Sequence, residues 1–127
     1  RGGSKMKPIS MNQLRRALDD AMTYADFKRA EELAQRGIRT ARAKEWVGEI
    51  MYFKAQMKII REDYKSALKY LGLAIKYDPK DGAAYNDRAL CVIELGQIED
   101  AFAYFDKGIE AEPDYATVYH NKGWLLN

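Results

Sequence analysis

Stretches in which apolar residues recur three, four and seven positions apart alternate along the chain with short polar breaks. This spacing lays one apolar stripe along a helix face. It predicts helices over Met11–Met22, Phe27–Thr40, Trp46–Ile60, Tyr64–Tyr77, Gly82–Leu95, Ile98–Ala111 and Tyr115–Leu126. No alternation of period two is long enough to build a sheet, so the predicted class is all-α, with antiparallel hairpins joined by short links. The three prolines, Pro8, Pro79 and Pro113, fall where helices would begin or end. Ser10 with Gln13 has capping-box spacing, Ile9 and Leu14 are placed as a hydrophobic staple across it, and Asp26 is a predicted N-cap.

The helices repeat in pairs. Residues 76–89 read KYDPKDGAAYNDRA and residues 110–123 read EAEPDYATVYHNKG, so an acid–proline pair, a tyrosine and a small residue each recur after 34 positions. A period of this length marks stacked helical units. Within the clearest unit, Tyr85, Ala89 and Val92 form one stripe, and Ala101, Phe105 and Gly108 form the stripe facing it. One period earlier the stripes become Met51, Ala55 and Lys58, then Ala67, Leu71 and Ala74. Lys58 is the one misfit, accommodated if its stem lies along apolar surface with the ammonium in water. Gly37 and Gly108, inside helices, suggest close helix approach.

On these residues the chain resembles the tetratricopeptide-repeat family, whose 34-residue hairpins favour an aromatic at position four, small residues at positions eight and twenty, and a proline near the end. The unit from Gly82 to Tyr115 matches best, through Tyr85, Ala89, Gly96, Ala101, Phe105, Gly108 and Pro113. The preceding unit departs at Lys58 and at Glu62, where the family usually has glycine. The first unit matches at a spacing of 37, with three extra residues around RTARAKEW. The resemblance implies about three and a half hairpins and seven helices stacked into a right-handed superhelix. The implied domain is 10–127, with units at about 11–47, 48–81 and 82–115 and a lone first helix at 116–127; residues 1–9 read as a linker or expression remnant. Some members of the family grip the C-terminal carboxylate of heat-shock chaperones with lysine, asparagine and arginine on successive first helices. Counted from Met11, those positions hold Arg15, Asp19, Phe53, Ala83 and Asp87; counted from Gly48, they hold Tyr52, Gln56, Asp87, Thr117 and Asn121. Neither register supplies the donor cluster.

Composition narrows the chemistry. With 127 residues the chain suffices for one domain or one continuous stack. One cysteine, Cys91, and one histidine, His120, exclude an internal disulfide and leave too few soft ligands for structural zinc. No catalytic set emerges: His120 lacks a nucleophile at motif spacing, no glycine-rich loop follows a strand, and Cys91 between Leu90 and Val92 reads as a packed apolar residue. No enzyme activity, cofactor, metal or small-molecule substrate is expected. Without an apolar run of membrane-spanning length or a signal-like start, the expectation is a soluble, cytoplasmic protein. Residues 1–45 carry 11 Lys/Arg against 6 Asp/Glu, but the stripe of Arg29, Arg36, Arg39, Arg42 and Lys44 is explained by a solvated helix surface near a helix C-terminus. Nucleic-acid binding through this basic first unit is the weaker alternative function, and no strong binding is expected from it.

The expected function is a non-catalytic scaffold that holds a peptide or helix of a partner protein in a concave groove. In the family's architecture the first helix of each unit lines that groove. The inward positions are Arg15, Asp19 and Met22, then Tyr52, Gln56 and Ile59, then Asn86, Leu90 and Ile93, then His120 and Trp124. Tyr52, Leu90 and Trp124 are the expected anchors, and Gln56 and Asn86 the expected partners of ligand backbone. An alternative is self-assembly into dimers or filaments through Val118, Trp124, Leu125 and Leu126 of the last helix, which has no following helix to cover it.

Overall fold

The computed structural model describes residues 9–127, so all but Ile9 of the expected linker lies outside the described residues. These residues form seven helices: α1 (Met11–Thr23), α2 (Phe27–Ala43), α3 (Val47–Ile60), α4 (Tyr64–Tyr77), α5 (Gly82–Glu94), α6 (Ile98–Ala111) and α7 (Ala116–Leu126). No strand occurs among them. The extensive packing runs between consecutive helices, and α5 also meets α7, which makes a stack of hairpins.

Local chemistry starts the helices where the pattern places them. The Gln13 N–H donates to Ser10 Oγ at 3.1 Å and the Ser10 N–H to Gln13 Oε1 at 2.9 Å, closing the capping box. Asp26, Asp63 and Asp81 cap α2, α4 and α5 by accepting the N–H three residues on. Each cap satisfies a donor that the first helical turn leaves unpaired.

One boundary is corrected. The second helix does not stop at Thr40 but continues to Ala43, so the three extra residues of the first unit lengthen α2 rather than its linker. Ala41, Arg42 and Ala43 are good helix formers, and Ala41 is wholly buried. The chain then turns at Glu45, whose φ is +57°. Equivalent left-handed residues turn the chain inside each hairpin: Ala25 at +58°, Glu62 at +60° and Gly96 at +80°. Only Gly96 adopts this conformation without steric cost.

A continuous apolar cluster runs through α1 to α5, and a second joins α5, α6 and α7 around Ala89, Ala101, Phe105 and Val118. The small residues set the helix spacing. A Cβ at Gly37 would lie 2.5 Å from the Phe53 ring, so that ring seats directly on the α2 backbone. Lys58 is half-buried.

Candidate functional site: a two-part groove along the first helices

The first helices, α1, α3, α5 and α7, share one face, along which lie two adjoining hollows of about 590 and 540 Å3. Asp19, Tyr115 and Thr117 border both.

The first hollow is organised by Arg15. Its Nε donates to Glu49 Oε1 at 2.8 Å, and its Nη2 donates to Glu49 Oε2 at 2.9 Å and to Asp81 Oδ2 at 2.8 Å. Nη1 donates to Asp81 Oδ1 at 3.1 Å. The guanidinium carbon sits 3.5 Å from the centroid of the Tyr52 ring, within cation–π range. Burial opposes the Arg15 charge, but the hydrogen bonds to Asp81 and the surrounding negative charge outweigh it and raise the pKa. Asp81 also caps α5 through Ala84 N–H, so one carboxylate fixes a helix start and an arginine from α1. Burial holds the Tyr52 hydroxyl well above its ordinary pKa, with the Asp87 charge acting in the same sense. At this end of the groove Arg15, Glu49 and Asp81 form one paired network.

The second hollow is different. Gln56 and Asn86 are each 4% exposed, beneath the rim formed by Met22, Ile59, Leu90 and Trp124. Gln56 Nε2 donates to Asp87 Oδ2 at 2.7 Å, and Asn121 Nδ2 donates to Asn86 Oδ1 at 2.9 Å. The Asn86 amide approaches Asp87 Oδ1 only at 3.5 Å. No Lys or Arg among the described residues forms an ion pair with Asp87 or Asp19. Burial, reinforced by the Asp19 charge, pushes the Asp87 carboxyl up to about 7. Burial likewise raises the Asp19 carboxyl, with Arg15 partly opposing it.

The sequence-predicted groove residues divide between these parts. Arg15 and Tyr52 belong to the charged network, and Asp19 borders both hollows. Met22, Gln56, Ile59, Asn86, Leu90, Ile93 and Trp124 line the second hollow; His120 is exposed and lines neither. Tyr52 is not the open anchor its position suggested, because Arg15 covers it and leaves it 1% exposed. Val118 is also corrected: it is wholly buried, with its methyl groups against Gly108, and cannot take part in a surface contact. Trp124 and Leu126 are exposed and Leu125 is half-buried. Cys91 is buried, and desolvation pushes its thiol up to about 12, which keeps it a protonated, inert packing group.

Sequence reasoning missed Asp87 and Asn121, which appeared only as positions where clamp donors are absent. A signal existed: Asp87 stands one period after Phe53, so a carboxylate takes a place where the preceding unit packs a wholly buried ring. Glu49 and Asp81 carried no such signal, since their roles depend on where the Arg15 side chain lands.

Stacked helical hairpins with small residues at the crossings and a groove along the first helices define a helical-repeat solenoid. The chain belongs to the tetratricopeptide-repeat family, whose sequence profile matches residues 59–122, half of the chain. It is thus a protein–protein interaction scaffold. Among curated relatives, Hsp70-Hsp90 organizing protein 3 of Arabidopsis thaliana is 36% identical over 62 residues, covering 49% of this chain and 11% of that protein. Protein SGT1 homolog of Bos taurus is 37% identical over 65 residues, covering 51% and 19%. The E3 ubiquitin-protein ligase TTC3 of Rattus norvegicus is 32% identical over 56 residues, covering 44% and 3%. The chain thus matches a fifth or less of the length of each of these relatives. Among the described residues no helix is long and apolar enough to cross a membrane.

Proposed function

We propose that this domain, residues 10–127 with units at about 11–47, 48–81 and 82–115 and the first helix of a fourth, binds a segment of a partner protein without catalysing a reaction on it. The segment lies in the second hollow, as a peptide or as one face of a helix. The observation that carries this reading is an apolar lining beside buried amides: Leu90 is 38% and Trp124 62% exposed, in the same hollow as Gln56 and Asn86. Side chains of this kind supply anchoring energy when a ligand excludes water, and amides pair with ligand backbone. Leu90 and Trp124 take the anchoring role, and Tyr52 supports the groove from beneath Arg15.

The name of one relative, Hsp70-Hsp90 organizing protein 3, points towards chaperones as partners. A chaperone partner would have to engage this chain by something other than a gripped C-terminal carboxylate. At the positions counted from Met11, Phe53 is core and Arg15 is already committed to Glu49 and Asp81. The test is affinity capture from cell extract, followed by titration of the partner against Leu90→Ala and Trp124→Ala. Each variant is expected to lose roughly 1 to 3 kcal/mol of binding with its helical content intact. Unchanged affinity in both, or a partner mapped to α2, α4 and α6, would overturn the reading.

A second reading rests on α7. Tyr119 and Leu126, seven residues apart on α7, are 48 and 67% exposed, an apolar strip without a covering helix among the described residues. Such a strip supports self-association. Light scattering separates the two readings: Leu126→Lys should abolish concentration-dependent assembly and leave partner binding unchanged, whereas Leu90→Ala should do the reverse. A strictly monomeric mass at high concentration removes the second reading.

A further inference from the structure

The second hollow joins an apolar rim to unbalanced negative charge. Asp19, Asp87 and Glu94 line it, and no lysine, arginine or histidine does. The nearest candidate to neutralise them, Arg15, has its donors committed to Glu49 and Asp81. Gln56 adds a free acceptor to this acidic lining. This glutamine is 4% exposed and gives its Nε2 to Asp87, yet its Oε1 accepts no hydrogen bond among the described residues. That oxygen is not among the sealed polar atoms lacking a partner, where only Arg88 Nε stands, so it opens to the hollow. An accessible carbonyl beside a carboxylate without an ion-paired cation offers acceptors to an entering donor group.

We propose that the hollow is a receptor for a basic side chain: a partner segment carrying one lysine or arginine between apolar residues, its cation held by Asp87, Asp19 and Gln56 Oε1 and its apolar neighbours seated on Leu90, Ile93 and Trp124. This rests on the groove reading above and gives it a ligand chemistry. A lysine ammonium has three donors and a guanidinium five, enough to reach two carboxylates and one carbonyl. The charge logic is the reverse of a carboxylate grip. An acidic chain terminus entering this hollow would meet three carboxylates and no cation.

Protonation gives the site a signature. Asp87 is faced by Arg15 and Asp19 from α1, by Tyr52 from α3, by Asp81 at the cap of its own helix and Cys91 on it, and by Tyr115 ahead of α7. Burial and the Asp19 charge bring its carboxyl up to about 7, so a bound cation will favour release of its proton near neutrality.

The probe is a capped, amidated decapeptide with one lysine between leucines, alongside analogues with norleucine or glutamate in place of lysine. Binding is read from the side-chain amide resonances of Gln56 and Asn86 in a nitrogen–proton correlation spectrum. The lysine peptide is expected to bind at least tenfold more tightly than the norleucine analogue, and to gain at least threefold in affinity from pH 6 to pH 8. Asp87→Asn, which preserves an acceptor for Gln56, is expected to reduce the lysine preference at least fivefold and remove the pH dependence; Asp19→Asn should reduce the preference to a lesser degree. Equal binding of the lysine and norleucine peptides, still sensitive to Leu90→Glu, would overturn the cation site and leave the groove reading standing. Tighter binding of the glutamate peptide would also overturn it. If none of the peptides shifts either amide up to millimolar concentration, both readings fall.

Discussion

The two ends of the groove are built from the same residue classes, carboxylates beside an aromatic or an amide, and differ in one respect. Arg15 pairs with both Glu49 and Asp81, and its guanidinium covers Tyr52 so that the ring leaves the surface. Around Asp87 the neighbours are neutral amides, the like charge of Asp19 lies nearby, and the apolar rim stays open. The same fold thus spends acidic residues on architecture at one end and leaves them unneutralised at the other. Breaking a half-buried ion network destabilises by stranding its remaining charges, whereas a desolvated acid without an ion-paired cation lowers the stability of the empty protein.

The largest expected effect tests that contrast from the architectural side. Arg15→Met should lower the unfolding free energy in urea by about 3 kcal/mol, because Glu49 and Asp81 would each keep a desolvated charge without a cation. A loss below about 1 kcal/mol would place this network with ordinary surface ion pairs.

Asp87→Asn tests the other side. Because the folded state raises this carboxyl from 3.8 to about 7, the native protein binds the proton more tightly than the unfolded chain does. Its contribution to stability is therefore greatest below about pH 4, falls as pH rises from about 4 to about 7, and is constant above. Wild type and variant should be nearly equal at pH 4, and the variant should be more stable at pH 8 by up to about 4 kcal/mol. A stability difference that does not change between these pH values would show Asp87 to be no more burdened than a surface acid.

Smaller effects sharpen the comparison. Asn121→Ala removes the hydrogen bond to Asn86 and should cost about 1 kcal/mol in thermal unfolding, since half-exposed surroundings let water replace it only in part. Leu90→Ala should change stability by no more than about 0.5 kcal/mol, as expected of an exposed side chain whose value lies in binding. If Leu90→Ala instead costs about 2 kcal/mol, Leu90 is core and the rim is not open.

The fold was legible because each of its determinants is local or periodic. The capping box, the aspartate caps and the small residues at helix crossings can all be counted along the chain, and they recur. The left-handed turns at Ala25, Glu45 and Glu62 were not legible, because nothing in an alanine or a glutamate announces a positive φ; at Gly96 the residue does. Extension of α2 to Ala43 was hidden by the missing proline, which elsewhere marks the unit boundary. In the groove, helical spacing identified the inward positions but not which long side chain would fold over which neighbour. Whether Tyr52 is open depends on Arg15 reaching Glu49 and Asp81, carboxylates that lie 34 and 66 residues further along the chain.

That reach has a mechanical consequence. In a solenoid each unit normally senses only the next, so the stack behaves as a row of beads coupled to nearest neighbours, free to bend and to fray from its ends. The Arg15–Asp81 pair joins α1 of the first unit to the cap of the first helix of the third, while the same guanidinium also holds Glu49 of the second. It acts as a bowstring across the curve. Cutting it should soften the solenoid as well as weaken it, letting the curvature of the concave face fluctuate and allowing amide exchange in α1 to decouple from exchange in α5.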